Sequence, residues 1–254
     1  MRVDHQSLAE EKKVLGSIVS IGSLYSSTID IIDMVGKHHY VCIANVHMTV
    51  TAKTDKDLRL AMEKADIVTS DGMPLVWELR RQGFKEAERV SGPDLMIELC
   101  DRAQSEGVSI YFYGGSPSVV KKLEEKLIVR FPGLKIAGIE SPPMLPNKPE
   151  VDYGVVDKIK ASGAGIVFVG LGCPKQELWM HTYSPHIPAV LIGVGAAFDF
   201  FAGTVKRAPL WMQKSGLEWF YRLCSEPRRL WKRYLVTNSL FVWYWFLERL
   251  GLSK

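Results

Sequence analysis

The sequence predicts an α/β protein with a parallel, Rossmann-like sheet, followed by a helical C-terminal appendage. Short apolar runs alternate with longer amphipathic segments up to about residue 203, the runs are apolar throughout, and no strand-like run follows Arg207. Strands that are apolar on both faces are typical of a sheet covered by helices on both sides. Repeated alternation of strand and helix favours parallel strands joined by right-handed crossovers.

Seven apolar runs are predicted to form the strands. They lie at residues 14–21, 40–45, 65–70, 108–114, 134–140, 165–172 and 189–195. Segments with helical periodicity lie between them at 93–105, 116–131 and 151–161. The proline-rich stretch 141–149 is predicted to be a loop, because proline cannot donate the hydrogen bonds of a helix or a sheet.

Length and composition bound the domain organisation. The 254 residues suffice for one large domain with a small appendage, and 47% apolar and 24% charged residues are typical of a folded chain rather than a disordered one. The loss of strand signals predicts a catalytic core over 1–204 and a helical appendage over 205–254. The N-terminus is charged, and no run reaches the roughly 18–20 apolar residues of a spanning helix. We therefore expect a cytoplasmic protein, whose four scattered cysteines are idle thiols.

Polar or glycine-rich residues follow five of the predicted strands. Because ligands bind at the carboxyl ends of the strands in open parallel sheets, we expect these residues to share one crevice. They are Asn45 and His47, Asp71 and Gly72, Gly114 and Gly115, Gly172 with Lys175 and Gln176, and Asp199.

Asp71 is the sharpest catalytic candidate. A carboxylate directly after a buried strand could act as a general base and take a proton from an attacking hydroxyl. Gly72 beside it would let a ligand approach closely. The same position suits an N-cap of the helix that begins near Pro74, and the spacing leaves both interpretations open.

The glycines and their neighbours suggest phosphate binding. Backbone N–H groups of Gly114 and Gly115, before a predicted helix, could cradle a phosphate, and Gly172 follows the same logic. Lys175 could offset diphosphate charge, and Gln176 could bind a sugar hydroxyl. The glycines form neither a GxGxxG nor a P-loop, so ordinary solvated turns remain the alternative.

The sequence does not predict a metal or a cofactor. Asp55 and Asp57 resemble a metal-binding DxD, but they are more typical of the first turn of an exposed helix. The six histidines show no metal-ligand spacing. His47 is expected near the crevice, where a structural histidine is the more common case.

The C-terminal segment combines cations with aromatic residues. An unbroken apolar, aromatic run at 240–247 follows a basic stretch at 222–233. This pattern favours an interfacial helix on an anionic membrane, and arginines there could also clamp a pyrophosphate. The predicted membrane contacts are Arg228, Lys232, Arg233, Trp243 and Trp245. An oligomer interface stays open and can coexist with membrane contact, whereas nucleic-acid binding would leave 240–247 without a partner.

Taken together, these residues resemble the WecG/TagA/CpsF family of bacterial glycosyltransferases. The resemblance runs from about Val14 to Tyr234 and rests on several long motifs in order, at 69–77, 88–96, 170–179, 193–203 and 207–234. It implies an inverting, metal-independent transfer from a UDP-sugar to a polyprenyl-diphosphate-linked acceptor in cell-surface polysaccharide synthesis. The donor class it implies is UDP-linked N-acetylmannosamine, its uronic acid, or glucose. It also implies a peripheral protein at the cytoplasmic face of the plasma membrane.

The resemblance also implies roles for individual residues. Asp71 matches the general base, Gln176 and Asn45 match further catalytic positions, and Arg222 and Arg229 match arginines that bind the diphosphate. The full set of predicted substrate contacts is Gly72, Arg89, Gly114, Gly115, Gly172, Lys175, Asp199, Arg207, Arg222 and Arg229.

Two departures and two rival functions accompany this expectation. Ile43 stands where the family often has a hydroxyl residue, and the segment 235–254 is expected to extend past the family's usual end. One rival is a non-catalytic, nucleotide-binding scaffold of a polysaccharide assembly complex. The other is a soluble NAD- or nucleotide-sugar-modifying enzyme, which the missing GxGxxG and the aromatic tail disfavour.

Overall fold

The computed structural model describes residues 10–252 and contains a six-stranded parallel sheet between layers of helices. The strands are β1 (Glu11–Val14), β2 (Ser17–Ser20), β3 (His39–Ala44), β4 (Ile67–Ser70), β5 (Ser109–Gly114), β6 (Lys135–Glu140), β7 (Ile166–Gly170) and β8 (Val190–Gly193). The helices of the core are α1 (Leu24–Asp33), α2 (Val46–Ala52), α3 (Lys56–Glu63), α4 (Met73–Arg81), α5 (Gly92–Glu106), α6 (Pro117–Arg130), α7 (Tyr153–Ala161), α8 (Lys175–Tyr183) and α9 (Ala197–Ala202). The C-terminal helices are α10 (Leu210–Lys214), α11 (Glu218–Ser225) and α12 (Pro227–Arg249).

The sheet has the strand order β4-β3-β8-β7-β5-β6, and every neighbouring pair is parallel. This confirms the predicted α/β class with a parallel sheet. The helices predicted at 93–105, 116–131 and 151–161 are present as α5, α6 and α7, and no helix or strand interrupts the loop at 141–149. The register pairs Ala44 with Ser70, so Asn45 and Asp71 follow adjacent strand ends.

The first predicted strand, at 14–21, is wrong. This stretch belongs to an antiparallel hairpin of β1 and β2, which forms a separate two-stranded sheet. Leu15 and Gly16 form the turn between them, with φ angles of 51° and 80°. Positive φ at both central residues is typical of a tight hairpin turn, and Gly16 was the sequence signal for it.

Two hydrophobic clusters fill the two sides of the sheet. Phe112 and Tyr113 are successive residues of β5, and they belong to opposite clusters because strand side chains alternate between faces. Tyr113 stacks on Trp179 of α8, with ring centroids 4.8 Å apart, while Phe112 packs against Phe168 and Phe198. Burial on both faces explains why the strands are apolar throughout.

The C-terminal helices pack against the core. Helix α12 contacts α2, and Phe241 is buried in the same cluster as Trp179. The indole Nε1 of Trp245 donates a hydrogen bond to Glu78 Oε2 on α4, at 2.8 Å. Burial alone would raise the pKa of Glu78, but hydrogen bonds from Arg81, Gln82 and Trp245 lower it to about 2. Within residues 10–252, no helix is both long enough and apolar enough to cross a membrane.

Gly114 closes β5 with a φ of +128°, and it is needed for strand packing. A Cβ at this position would lie 2.5 Å from the backbone oxygen of Gly170 on the neighbouring strand β7. The N–H of Gly115 donates to that same oxygen at 3.1 Å. These two glycines therefore seal the ends of two strands rather than present N–H groups to a ligand.

Candidate active site

A cleft of about 850 Å³ lies at the carboxyl ends of β3, β4, β7 and β8, between the sheet and the C-terminal helices. Among the predicted site residues, those that line it are Asn45, Asp71, Gly72, Arg89, Gly172, Gln176, Asp199, Arg222 and Arg229. His47 and Ile43 line it as well. The structure thus brings the strand tips and the predicted phosphate-binding arginines into one site.

Asp71 is held at the end of β4 by a backbone bond and an ion pair. Its N–H donates to the carbonyl of Ala44 at 2.7 Å. Arg89 donates to Asp71 Oδ1 through Nε, at 3.1 Å, and its Nη2 lies 3.0 Å from the same oxygen. Arg89 Nη2 also donates to Glu218 Oε2 of α11, at 2.6 Å. Asp71 remains partly exposed to the cleft, where it can reach a ligand.

The helix-cap interpretation of Asp71 is wrong. The N-cap of α4 is Gly72, with a φ of +118°, and no side chain caps this helix. The carboxylate of Asp71 is instead directed to Arg89. It is therefore available for chemistry in the cleft.

Gln176 holds two loops of the site together. Its Oε1 accepts hydrogen bonds from the N–H groups of Gly172 and Gly195, both at 3.1 Å, which lie in the loops after β7 and β8. Its Nε2 donates to Glu177 Oε1 at 2.8 Å. Gln176 lines the cleft with 4% of its surface exposed, and its side-chain amide accepts two hydrogen bonds and donates one within the protein. The N–H of Gly172 is also used here and is not free for a phosphate.

Glu177 is a completely buried carboxyl group beneath this junction. Its Oε1 orients the Gln176 amide, and its Oε2 has no hydrogen-bond partner among the described residues. Burial raises the pKa of Glu177 to about 7, although the hydrogen bond from Gln176 acts in the opposite direction. Glu177 therefore changes its protonation state near neutral pH.

The C-terminal helices supply a cationic wall opposite Asp71. Arg222 stacks over the Phe200 ring, with its guanidinium carbon 5.3 Å from the centroid, and Arg229 pairs with Glu226. Arg233 lies deeper and has no acidic partner within residues 10–252. Burial, together with the charges of Arg222 and Arg229, lowers the pKa of Arg233. A half-buried cation without a counter-ion is unfavourable unless an anion joins it, so this wall suits an anionic ligand.

Four predicted substrate contacts lie outside the cleft lining. Gly114 and Gly115 are committed to strand packing, and Lys175 Nζ donates to the carbonyl of Leu145 at 2.8 Å. Arg207 is bound by Asp94 through both terminal nitrogens, at 2.5 and 2.7 Å, and it borders a separate cavity of about 570 Å³. Each of these groups already has a partner in the fold, which explains why it does not reach the ligand site.

The acidic pair near residue 55 behaves as a helix start. Asp55 caps α3 by accepting from the N–H groups of Asp57 and Leu58, both at 3.0 Å, and Asp57 pairs with Lys148. This confirms the interpretation of Asp55 and Asp57 as the first turn of an exposed helix. Within the described residues, no group of three histidine, cysteine, aspartate or glutamate side chains is arranged to hold a metal ion.

Comparison with known proteins identifies the family. The model of the Glycosyl transferase WecG/TagA/CpsF family matches residues 14–254. The chain belongs to this family. It is also 36% identical, over 200 residues, to the N-acetylglucosaminyldiphosphoundecaprenol N-acetyl-beta-D-mannosaminyltransferase of Bacillus spizizenii, which covers 78% of this chain and 76% of that protein. The chain is therefore a hexosyltransferase, and this finding goes against the scaffold and NAD-enzyme alternatives.

The match to the WecG/TagA/CpsF family corrects one sequence prediction. Because the family model continues to residue 254, the segment 235–254 is not an extension past the family's usual end. The structure agrees with this, since Phe241 is buried in the core and Val242 and Trp245 line the cleft. Phe241, Val242 and Trp245 of this segment are part of the site wall.

Helical periodicity separates the basic residues of α12 into two groups. Arg229 and Arg233 are four residues apart and line the cleft, whereas Arg228 and Lys232 face solvent. Arg233, predicted as a membrane contact, lines the cleft together with Arg229. Similarly, Trp245 is directed inward to Glu78, whereas Trp243 is 55% exposed.

The sequence analysis did not identify Glu218 or Glu177, and it treated His47 as a structural residue near the crevice. Burial lowers the pKa of His47 to about 4, and the charge of Arg233 acts in the same direction, so His47 is a neutral hydrogen-bonding group in the cleft. An acid directly next to Gln176 was a usable signal for Glu177. Glu218 carried no comparable signal, because its role depends on how α11 docks.

The buried Glu177 makes a testable contribution to stability. Its pKa is about 7 in the fold and near 4.5 when exposed, so it contributes stability fully below pH 4.5, and this contribution is lost as the pH rises through 7. We expect Glu177→Gln to remove about 2–3 kcal/mol of this pH dependence, measured by denaturant unfolding at pH 5 and pH 8. Equal pH dependence in the wild type and the variant would contradict this assignment, and Glu248→Gln, at an exposed site, is the matched control.

Proposed function

We propose that the enzyme transfers N-acetylmannosamine, or a closely related hexose, from UDP to a sugar linked to a polyprenyl diphosphate. The relative from Bacillus spizizenii is named for a transferase that acts on N-acetylglucosaminyldiphosphoundecaprenol, which supports this acceptor class and this sugar. The observation that carries the proposal is that one carboxylate, Asp71, and three arginines, Arg222, Arg229 and Arg233, line a single cleft.

In the proposed reaction, Asp71 takes the proton from the acceptor hydroxyl as its oxygen attacks the anomeric carbon of the donor sugar. The bond between that carbon and the UDP oxygen breaks, and UDP leaves with the electron pair. One displacement from the opposite face inverts the anomeric configuration. General-base assistance of this kind contributes typically about 10²–10⁴-fold in rate.

The leaving diphosphate needs positive charge as it departs. Arg222, Arg229 and Arg233 converge on the cleft, and their forked guanidinium groups match phosphate oxygens. Preorganised donors act strongly on developing charge in a half-buried site. These arginines are the basis for proposing that the transfer is independent of a metal ion.

The proposed location is the cytoplasmic face of the plasma membrane, with α12 lying on the lipid surface. Arg228, Lys232, Leu235 and Phe246 follow helical spacings of four, three and eleven residues, and each is exposed. The stripe is basic at one end and apolar at the other, which suits an anionic headgroup layer and the acyl boundary beneath it. An oligomer contact through this stripe remains the alternative proposal.

The proposed base role of Asp71 is tested by removing its negative charge. We expect Asp71→Asn to lower kcat about 10³-fold while the Kd for UDP changes less than about threefold, because the substitution removes the proton acceptor but no phosphate contact. Turnover is measured with UDP-N-acetylmannosamine, UDP-glucose and UDP-glucuronate and a polyprenyl-diphosphate-linked sugar. Asp55→Asn, at the cap of α3, serves as the control and should keep near-normal turnover. Retained turnover in Asp71→Asn, or an equal loss of UDP binding, would rule out the proposed role.

The proposed contact of α12 with the membrane is tested through its exposed aromatic residues. Because Phe241 is buried, removing the whole C-terminal segment would damage the core, so point substitutions are the sharper test. We expect Trp243→Ser with Phe246→Ser to weaken binding to vesicles of anionic phospholipid about tenfold or more, measured by co-sedimentation, since each exposed ring loses its apolar contact. Ile128→Ser with Val129→Ser, two exposed apolar residues of α6, should leave binding unchanged. If both double variants behave alike, α12 is not the docking surface.

A further inference from the structure

Arg89 bridges two carboxylates that come from distant parts of the chain. It contacts Asp71, at the end of β4, and Glu218, in the first turn of α11. All three side chains are largely buried, with exposed fractions of 24% for Asp71, 16% for Arg89 and 17% for Glu218. A single guanidinium therefore serves both the proposed base and an acid of the C-terminal helices.

The surroundings leave Arg89 as the principal cation for both acids. Arg207 Nε is 4.0 Å from Glu218 Oε1, but the terminal nitrogens of Arg207 are bound by Asp94. Arg89 Nη1 also lies 3.5 Å from Gln213 Oε1 on α10. The charged and titratable groups that face this cluster are Asp71, Arg89, Asp94, Arg207, Glu218, Arg222 and Tyr234.

Sharing matters because two carboxylates compete for the charge of one guanidinium. A cation in direct contact favours the ionised form of a carboxylate and weakens its hold on a proton. Glu218 opposes this in two ways, since it takes up part of the charge of Arg89 and adds negative charge near Asp71. Burial acts to lower the pKa of Arg89, but the carboxylates outweigh it and raise that pKa, so the bridge stays charged.

We propose that Glu218 is a positioning residue for the transfer reaction, which shares Arg89 with Asp71 and thereby sets the orientation and basicity of the catalytic carboxylate. This inference rests on the proposed role of Asp71 as the general base. It also links catalysis to the docking of α11, because Glu218 lies in the first turn of that helix.

The test is the pH dependence of kcat/KM in Glu218→Gln. The variant leaves Arg89 to Asp71 alone and removes a nearby negative charge, and both changes stabilise the ionised form of Asp71. We expect the acid limb to move down by about half to one pH unit, and kcat on the plateau to fall about three- to tenfold. The KM for the UDP-sugar should stay within about twofold. Glu218→Asp, which keeps the charge, should retain the wild-type limb, and Glu248→Gln is the control on α12.

Several outcomes overturn the inference. A lower rate with an unmoved acid limb would show that Glu218 is only a structural support, and a limb that moves upward would contradict the sign of the effect. If Glu218→Gln does not fold, the wild type can be tested instead by following its ¹³C carboxyl NMR signals as the pH changes. The signal of Asp71 is identified by its absence in Asp71→Asn. Acids that share one guanidinium titrate together, so the Asp71 signal must show a second inflection where Glu218 titrates, and its absence overturns the proposal.

This titration also distinguishes a failure of the proposed transfer reaction from a failure of the proposed role of Glu218. If the wild type shows no turnover with any polyprenyl-diphosphate acceptor, the proposed function fails, and the titration still reports whether the two acids are coupled. If turnover is present and depends on Asp71, but Glu218→Gln leaves its pH profile unchanged, only the role of Glu218 fails.

Discussion

The bridge that Arg89 forms between Asp71 and Glu218 joins the two halves of the site. On one side is the carboxyl edge of the parallel sheet, and on the other are the C-terminal helices. Breaking a buried ion pair by removing one partner is costly, because the remaining charge loses both its water and its partner. The bridge therefore ties α11 to the end of β4, while packing against α2 and the hydrogen bond from Trp245 to Glu78 hold α12. The cleft lies between the two halves that these contacts join.

Much of the fold follows from local sequence pattern. Apolar runs with the length of a strand, separated by helical periodicity, predict six of the strands and the parallel sheet, since burial on both faces imposes that composition. The run at 14–21 was misread because Gly16 marks a hairpin turn within it. The strand ends, in turn, predict that Asn45, Asp71 and Gln176 lie near one another, because parallel strands share an edge.

The remainder depends on tertiary contacts that no local pattern encodes. Gly114 looks the same in a sequence whether it cradles a phosphate or avoids a clash with Gly170, and only the neighbouring strand distinguishes the two. Glu218 acquires its role through docking of α11. Arg233 is an intermediate case, because the spacing of four residues from Arg229 would have placed it on the cleft face once the helix was recognised.

The two sides of the cleft divide the chemistry between them. In the proposed reaction, the sheet edge supplies the proton acceptor. Gln176, oriented by Glu177, holds the loops of Gly172 and Gly195 together. The C-terminal helices supply the positive charge, and their outer face carries the apolar stripe proposed to meet lipid. Helix α12 thus contributes to both the cleft and the exposed stripe, because helical periodicity places alternate sets of its residues on different faces.

The central claim is that the inward cations of α12 hold the diphosphate of the donor. Calorimetric titration of UDP against Arg233→Gln and Lys232→Gln tests it most directly, because these neighbours on one helix differ in the face they occupy. The account predicts that Arg233→Gln weakens UDP binding about tenfold or more, while Lys232→Gln changes it less than about twofold. Equal effects of the two substitutions, or normal UDP binding in Arg233→Gln, would contradict the account.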